Sequence, residues 1–170
     1  MTFLKACIDD LPSIMKIVGE AQNYLASLNI NQWVGGYPND KLMLNDIANN
    51  ESYIVKNEHN NIVGIAMLTT QLEQTYNIIE GKWLTADDAK YGAIHRIAVG
   101  ESYRGKGVAK FIISESENYL IKNNIESMRI DTHEDNNGMQ ALLKNLDYIY
   151  CGIIYLEDGD KRLAFEKMLV

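Results

Sequence analysis

The segment from Ile94 to Lys122 constrains this chain more than any other. Residues Ile94-His95-Arg96-Ile97-Ala98-Val99 read as a largely apolar strand, and Gly100-Glu101-Ser102-Tyr103 as a short loop. Arg104-Gly105-Lys106-Gly107 then leads into an amphipathic stretch, Val108 to Lys122, that reads as a helix. The first amides of a helix have no partner within it, and the helix dipole adds about half a positive charge there. Glycines let the backbone approach an anion closely, and Arg104, Lys106 and Lys110 add positive charge around the turn. A ligand carrying a diphosphate is expected at this place.

Three phosphate-loop patterns compete for the segment. Gly100-x4-Gly105-Lys106 follows most of the nucleotide P-loop, but Gly107 stands where a magnesium-binding hydroxyl belongs. A Mg-dependent nucleotidase is therefore the weakest reading. The dinucleotide pattern G-x-G-x-x-G, counted from Gly105 and Gly107, ends on Lys110 and fails. Arg104-x-x-Gly107-x-Ala109 instead fits [QR]-x-x-G-x-[GA]. Here the chain resembles the GNAT superfamily of N-acetyltransferases, whose acetyl-CoA signature is this hexapeptide after a strand ending in an L-x-V-like triplet. Ile97-Ala98-Val99 is that triplet. The resemblance implies that backbone amides of Arg104, Gly105, Lys106, Gly107, Val108 and Ala109 hold the pyrophosphate of CoA. It also implies that Ile97, Ala98 and Val99 pair with the pantetheine arm.

The rest of the pattern agrees with that resemblance. Thr2 to Ile8 reads as a strand, and Asp9 or Asp10 caps a helix with Pro12 in its first turn and an apolar face through Leu25. Asn39 or Asp40 caps a second helix through Ile47. Ser52–Lys56 and Ile62–Thr70 form a hairpin, and residues 71–91 lack clean alternation, are ambiguous in element type and are expected to contain a loop. Strand 94–99, helix 108–122, strand 128–132, a short helix 137–145 and closing strands 148–155 and 163–169 follow. The expected fold class is α/β (α+β): one GNAT domain over residues 1–170, with a central mixed, mostly antiparallel sheet flanked by helices.

Composition narrows the function further. With 170 residues, 46% of them apolar, the chain can bury one substantial core. No apolar run approaches a bilayer span and no secretory signal is read, so a cytoplasmic protein without a membrane partner is expected. Cys7 and Cys151 form no metal-ligand cluster; they read as buried apolar thiols in a reducing compartment, and no metal is expected. The net charge of −7 and the lack of Lys/Arg runs outside residues 104–110 argue against nucleic acid as a partner.

A second family motif, N-x-x-A-x-x-L-Y-x-K-x-G-F, aligns with Asn136, Met139 and Leu142, and Asp147-Tyr148 replaces Gly-Phe. The resemblance places Asn136 against CoA; the residue's own chemistry equally suits a helix cap. Leu143 stands where many members carry the Tyr that protonates the departing thiolate. Losing a general acid costs about 10²–10⁴-fold, and Tyr150 and Tyr155 on the closing strands are candidate substitutes. An attacking amine must first lose a proton. His95 is the candidate base, two residues before Ile97 and on its face if alternation holds; some members carry a His at this offset, and Ala93 stands where others carry a catalytic Glu. His133, among Asp131, Glu134 and Asp135, and the aromatics Trp33, Tyr37 and Trp83 are candidate walls of the acceptor pocket.

The expected activity is transfer of an acetyl group from acetyl-CoA, as cosubstrate, to a primary amine of a small molecule or peptide by direct attack. A non-catalytic CoA-binding or sensing module is the rival reading. Pairing of the closing strands across a homodimer is compatible with the sequence.

Overall fold

In the computed structural model, which describes residues 1–169, the elements follow the expected order with one short addition. Strand β1 (Thr2–Lys5), helix α1 (Leu11–Ser27) and helix α2 (Asp40–Ala48) precede the hairpin of β2 (Ser52–Lys56) and β3 (Ile62–Thr69). Then come β4 (Glu80–Gly81), β5 (Tyr91–Val99), α3 (Val108–Lys122) and β6 (Ser127–Thr132). Helix α4 (Asn137–Asn145) and strands β7 (Ile149–Tyr155) and β8 (Lys161–Met168) close the chain. The eight strands form one mixed sheet in the order β1-β2-β3-β5-β6-β8-β7-β4. Pairing is antiparallel in β1-β2-β3 and in β6-β8-β7-β4, and parallel between β5 and β6.

Three local expectations fail near the N-terminus. Strand β1 stops at Lys5, because the Asp10 carboxylate turns the chain: its Oδ2 accepts the Cys7 N–H at 2.9 Å and the Cys7 Sγ at 3.2 Å. Asp10 is thereby spent on this 3-10 turn and makes no side-chain bond to cap α1. Cys7 is exposed, contrary to its reading as a core thiol, whereas Cys151 is buried and its thiol is pushed up by burial.

The four α-helices among the described residues end in the same way. Asn29, Asn50, Asn124 and Asp147 take left-handed backbone angles just past the C-termini of α1, α2, α3 and α4. In each case the next residue donates its N–H back to the last turn of the helix: Ile30 to Leu25, Glu51 to Asp46, Ile125 to Leu120 and Tyr148 to Leu143, at 2.9 to 3.0 Å. This is the Schellman motif, which satisfies carbonyls the helix would otherwise leave open. Short Asn and Asp side chains tolerate the left-handed region better than most residues. Asp147 can therefore replace the Gly of the second motif.

The chain packs as two compact units. The first comprises Met1–Leu68 and His95–Glu115. Its core joins Ile14, Ile17 and Val18 of α1 to Met43 of α2 and to Ile54, Ile65 and Ala98 of the strands. The spacing of the α1 residues is one helical face. A Cβ on Gly64 of β3 would lie 2.8 Å from Val108 Cγ1 and 3.0 Å from Ile112 Cδ1, so the bare glycine admits the start of α3.

The second unit comprises Thr69–Ile94 and Ser116–Val170. Tyr76, Trp83, Tyr91, Ala93, Cys151, Ile154 and Ala164 form one apolar cluster of its core. Within residues 71–91, ambiguous from sequence, Leu84 and Thr85 are held by a carboxylate about 80 positions later. Glu166, fully buried, accepts the Leu84 N–H at 2.6 Å, the Thr85 hydroxyl at 2.7 Å, the Ser127 hydroxyl at 2.8 Å and Arg129 Nε at 3.0 Å. The Arg129 guanidinium lies 4.2 Å from the Trp83 ring and 3.9 Å from the Tyr91 ring. Strand β4 pairs with β7 where Gly81 faces Gly152, and a Cβ on either would overlap the opposite backbone.

Burial raises the Glu166 carboxyl, but the hydroxyls of Thr85 and Ser127 and the charge of Arg129 outweigh it and hold it below the ordinary 4.5. A depressed folded value gives stability that is complete above the unfolded value and lost as pH falls through the folded one. Glu166→Gln leaves Arg129 buried without its counter-charge and should cost about 3–5 kcal/mol at neutral pH. The cost should shrink as the solution is acidified below the ordinary carboxylate range. Denaturant melts at neutral and acid pH check this, and equal losses at both would contradict it.

Candidate functional site

Strand β5 carries a left-handed residue in its middle: Arg96 has φ of 52°. For a side-chain-bearing residue this costs about 1–2 kcal/mol, and within a strand it marks a bulge that re-aims side chains. Pairing with β6 runs over Tyr91–Ala93, before the bulge. Arg96 Nε and Nη2 donate to the two carboxylate oxygens of Asp46 at 2.8 Å each, and Nη1 donates to the Tyr37 hydroxyl at 3.3 Å. Burial pushes the Asp46 carboxyl above its ordinary value, while Arg96 and, more weakly, His95 pull it down. Two short bonds to a guanidinium that keeps its proton near neutrality hold the carboxylate ionised.

Arg96 reaches Asp46 of α2, and Ala98 packs in the apolar cluster that joins α1, α2 and the strands.

The loop after β5 is tethered to α1. Gly100 N–H donates to Val63 O at 3.0 Å, and the Glu101 N–H donates to Glu20 Oε2 at 2.7 Å. Arg104 Nη2 donates to the Glu20 carbonyl at 2.8 Å, with its guanidinium 4.3 Å from the Tyr24 ring. Arg104, expected as mobile charge beside an anion, is instead an anchor. Lys106 and Lys110 are the exposed cations.

Gly105 and Gly107 have φ of 72° and 81°, and no atom lies within 4 Å of where a Cβ would stand on either. Backbone conformation, rather than crowding, requires glycine at both. Helix α3 makes its first rung from Phe111 N–H to Gly107 O at 2.9 Å. The amides of Val108, Ala109 and Lys110 precede that rung and are the orphan donors of the helix start. Gly105, Lys106 and Gly107 are exposed beside them, while the Val108 side chain is buried and seats the helix on Gly64. The arrangement is a backbone cradle for an anion.

The remaining candidates divide between the units. In the first, Trp33 is partly buried against the α1–α2 core with φ of 60°, and Tyr37 is exposed beside Arg96. In the second, Asn136 Oδ1 accepts the Met139 N–H at 3.1 Å and so caps α4. Leu143 is fully buried. Tyr150 is half exposed and edge-on to Phe165, and the Tyr155 hydroxyl donates to Glu80 at 3.1 Å; that bond raises Tyr155 above its ordinary value. His133 Nδ1 accepts the Asp135 N–H at 3.1 Å, which leaves Nε2 to carry the proton of the neutral ring. Trp83, expected in a pocket wall, is instead core: it is 6% exposed and its Nε1 donates to Tyr76 O at 2.9 Å. Among the described residues no group of three or more His, Cys, Asp and Glu could hold a metal ion, and no helix is long and apolar enough to cross a membrane.

A sequence model of the Acetyltransferase (GNAT) family matches residues 22–148, spanning both signature motifs. The chain belongs to the GNAT acetyltransferase family. A GNAT-family acetyltransferase from Streptococcus agalactiae is 31% identical over 98% of this chain and 94% of its own, with a TM-score of 0.88. A GNAT-family acetyltransferase from Listeria monocytogenes is 16% identical over 98% of this chain and 94% of its own, with a TM-score of 0.76. A ribosomal-protein-alanine N-acetyltransferase from Brucella melitensis is 15% identical over 99% of both chains, with a TM-score of 0.69. The latter two share the GNAT fold. No curated protein matches the chain.

Sequence reasoning misses Glu20, Tyr24 and Asp46. Glu20 and Tyr24 sit about one helical turn apart, but nothing in the sequence couples them to a loop about 80 residues away. Replacing Gly107 by Ala should weaken binding of CoA about tenfold, since an L-residue at this angle costs about 1–2 kcal/mol. Titration calorimetry with CoA reads this, and unchanged affinity would show that the left-handed turn does not shape the cradle.

Proposed function

We propose that this GNAT member is an acetyl-CoA-dependent N-acetyltransferase acting on a primary amine of a small molecule or peptide. The observation that carries the reading is the start of α3: two left-handed, exposed glycines followed by three amides that precede the helix ladder. In this reading the amides from Gly105 to Lys110 hold the pyrophosphate of CoA, with Lys106 and Lys110 adding positive charge. Ile97, Ala98 and Val99, beyond the bulge in β5, pair through their backbone with the pantetheine arm. Bound acetyl-CoA supplies the thioester carbonyl that the amine attacks, and a backbone N–H of this triplet polarises it. Asn136 is assigned chiefly to capping α4.

An alkylamine with a pKa of about 10.4 is protonated near neutrality, so His95 or an ordered water must take its proton. Trp33 and Tyr37 are assigned to the acceptor wall; His133 remains assigned to the acceptor, with Nε2–H as its available group. The CoA thiol, with a pKa of about 8.5, is a tolerable leaving group without a dedicated acid. The Tyr155 hydroxyl donates to Glu80 and the Tyr150 ring lies edge-on to Phe165; both stay candidate proton donors to the thiolate. Composition supports a cytoplasmic location and argues against nucleic-acid partners.

One observation favours a second reading. Leu143 fills the general-acid position and is wholly buried, which suits a CoA-binding module without turnover. A panel of amines with detection of free thiol separates the two, turnover being expected on at least one alkylamine. His95→Gln should lower kcat/KM by about 10²-fold or more and remove the rising acid limb of the pH–rate profile, with CoA affinity retained. An unchanged profile would leave water as the base.

A further inference from the structure

We propose that Asp46 is a positioning residue: its carboxylate clamps Arg96 in the left-handed bulge of β5 and so sets the backbone of Ile97–Val99. This role rests on the reading of that triplet as the segment that pairs with acetyl-CoA.

The bulge is costly and therefore needs a cause. Arg has no intrinsic reason to occupy φ of 52°, and a strained backbone persists only where its surroundings over-determine it. In β5 those surroundings are specific. Both oxygens of Asp46 are engaged at 2.8 Å by the fork of Arg96, and the carboxylate is almost wholly removed from solvent. A bidentate pair fixes direction as well as distance. It ties one residue of β5 to α2, which Asn39 caps at the other end through the Leu42 N–H at 2.9 Å. The Schellman bond from Glu51 N–H to Asp46 O, at 2.9 Å, fixes the backbone of Asp46 itself. The third arm of Arg96 reaches the Tyr37 hydroxyl and so joins the loop assigned to the acceptor wall. Beyond the bulge, the strand is secured again where Gly100 donates to Val63. Residues 97–99, on the strand that neighbours β3 in the sheet, thus lie between two fixed points, one of them the Arg96–Asp46 pair.

A residue that serves only packing and one that serves the bulge respond oppositely to glycine. Within an ordinary strand Gly is worse than Ala; at a left-handed position it is better. Two double variants exploit this: Asp46→Asn/Arg96→Gly and Asp46→Asn/Arg96→Ala. The Asn removes the carboxylate charge that loss of Arg96 would otherwise leave buried and unpaired. Both lose the clamp, but only the glycine variant can keep the bulge unaided. Acetyl-CoA binding by calorimetry should fall about tenfold further in the alanine variant than in the glycine variant. Hydrogen exchange of the amides at 96–100, measured without ligand, should quicken more in the alanine variant. Equal affinities and equal exchange in the two variants, or a weaker glycine variant, would overturn the proposal. If the wild-type chain binds no acetyl-CoA, the functional reading falls, and the triplet loses its role as a partner of the coenzyme; exchange at 96–100 in both variants against the wild type, quickened in the alanine variant and near wild type in the glycine variant, then still reports whether the clamp sets the bulge.

Discussion

Helix α3 begins with amides that its own ladder cannot satisfy, and the first unit is arranged to leave them outward. Two left-handed glycines bring the chain into the helix, and neither adds a side chain beside the donors. The buried Val108 seats the helix on a glycine of β3, and Glu20 with Tyr24 holds the entering loop by its two ends. Each contact restricts where the orphan donors point. A preorganised set of dipoles binds an anion without first reorganising, which is why a weak donor repeated several times can replace a dedicated cation.

The second unit solves a different problem. A charge, Arg129, is buried between two aromatic rings and paired with Glu166, which also gathers two hydroxyls and a backbone amide. Such networks are costly when any partner is missing, so they specify one arrangement of the segment they hold. The segment in question is residues 83–85, whose own sequence has little periodicity. Order in that stretch comes from long-range polar contacts.

Legibility in the sequence follows the range of the forces. Helices α3 and α4 have the ends read from sequence, because capping and termination are local: Asn136 caps α4 and Asp147 closes it. The glycine turn is equally plain, since left-handed angles leave a compositional mark. The bulge at Arg96 leaves none: an arginine in a strand looks ordinary until Asp46, fifty residues earlier, is brought beside it. The same holds for Arg104, whose charge suggests an anion but whose guanidinium stacks on Tyr24, and for Trp83, whose ring is core. Cys7 misleads for the opposite reason: its environment is local, a turn closed by Asp10, but thiols are buried so often that composition points away from exposure.

The proposed function depends on main-chain nitrogens at the start of α3 holding the diphosphate of CoA. An amide-resolved NMR titration tests it directly, with CoA compared against pantetheine, which lacks the diphosphate. Large shifts are expected at Gly105, Gly107, Val108, Ala109 and Lys110 with CoA, and small ones with pantetheine. Shifts of equal size with both ligands, or none at these five residues, would contradict it.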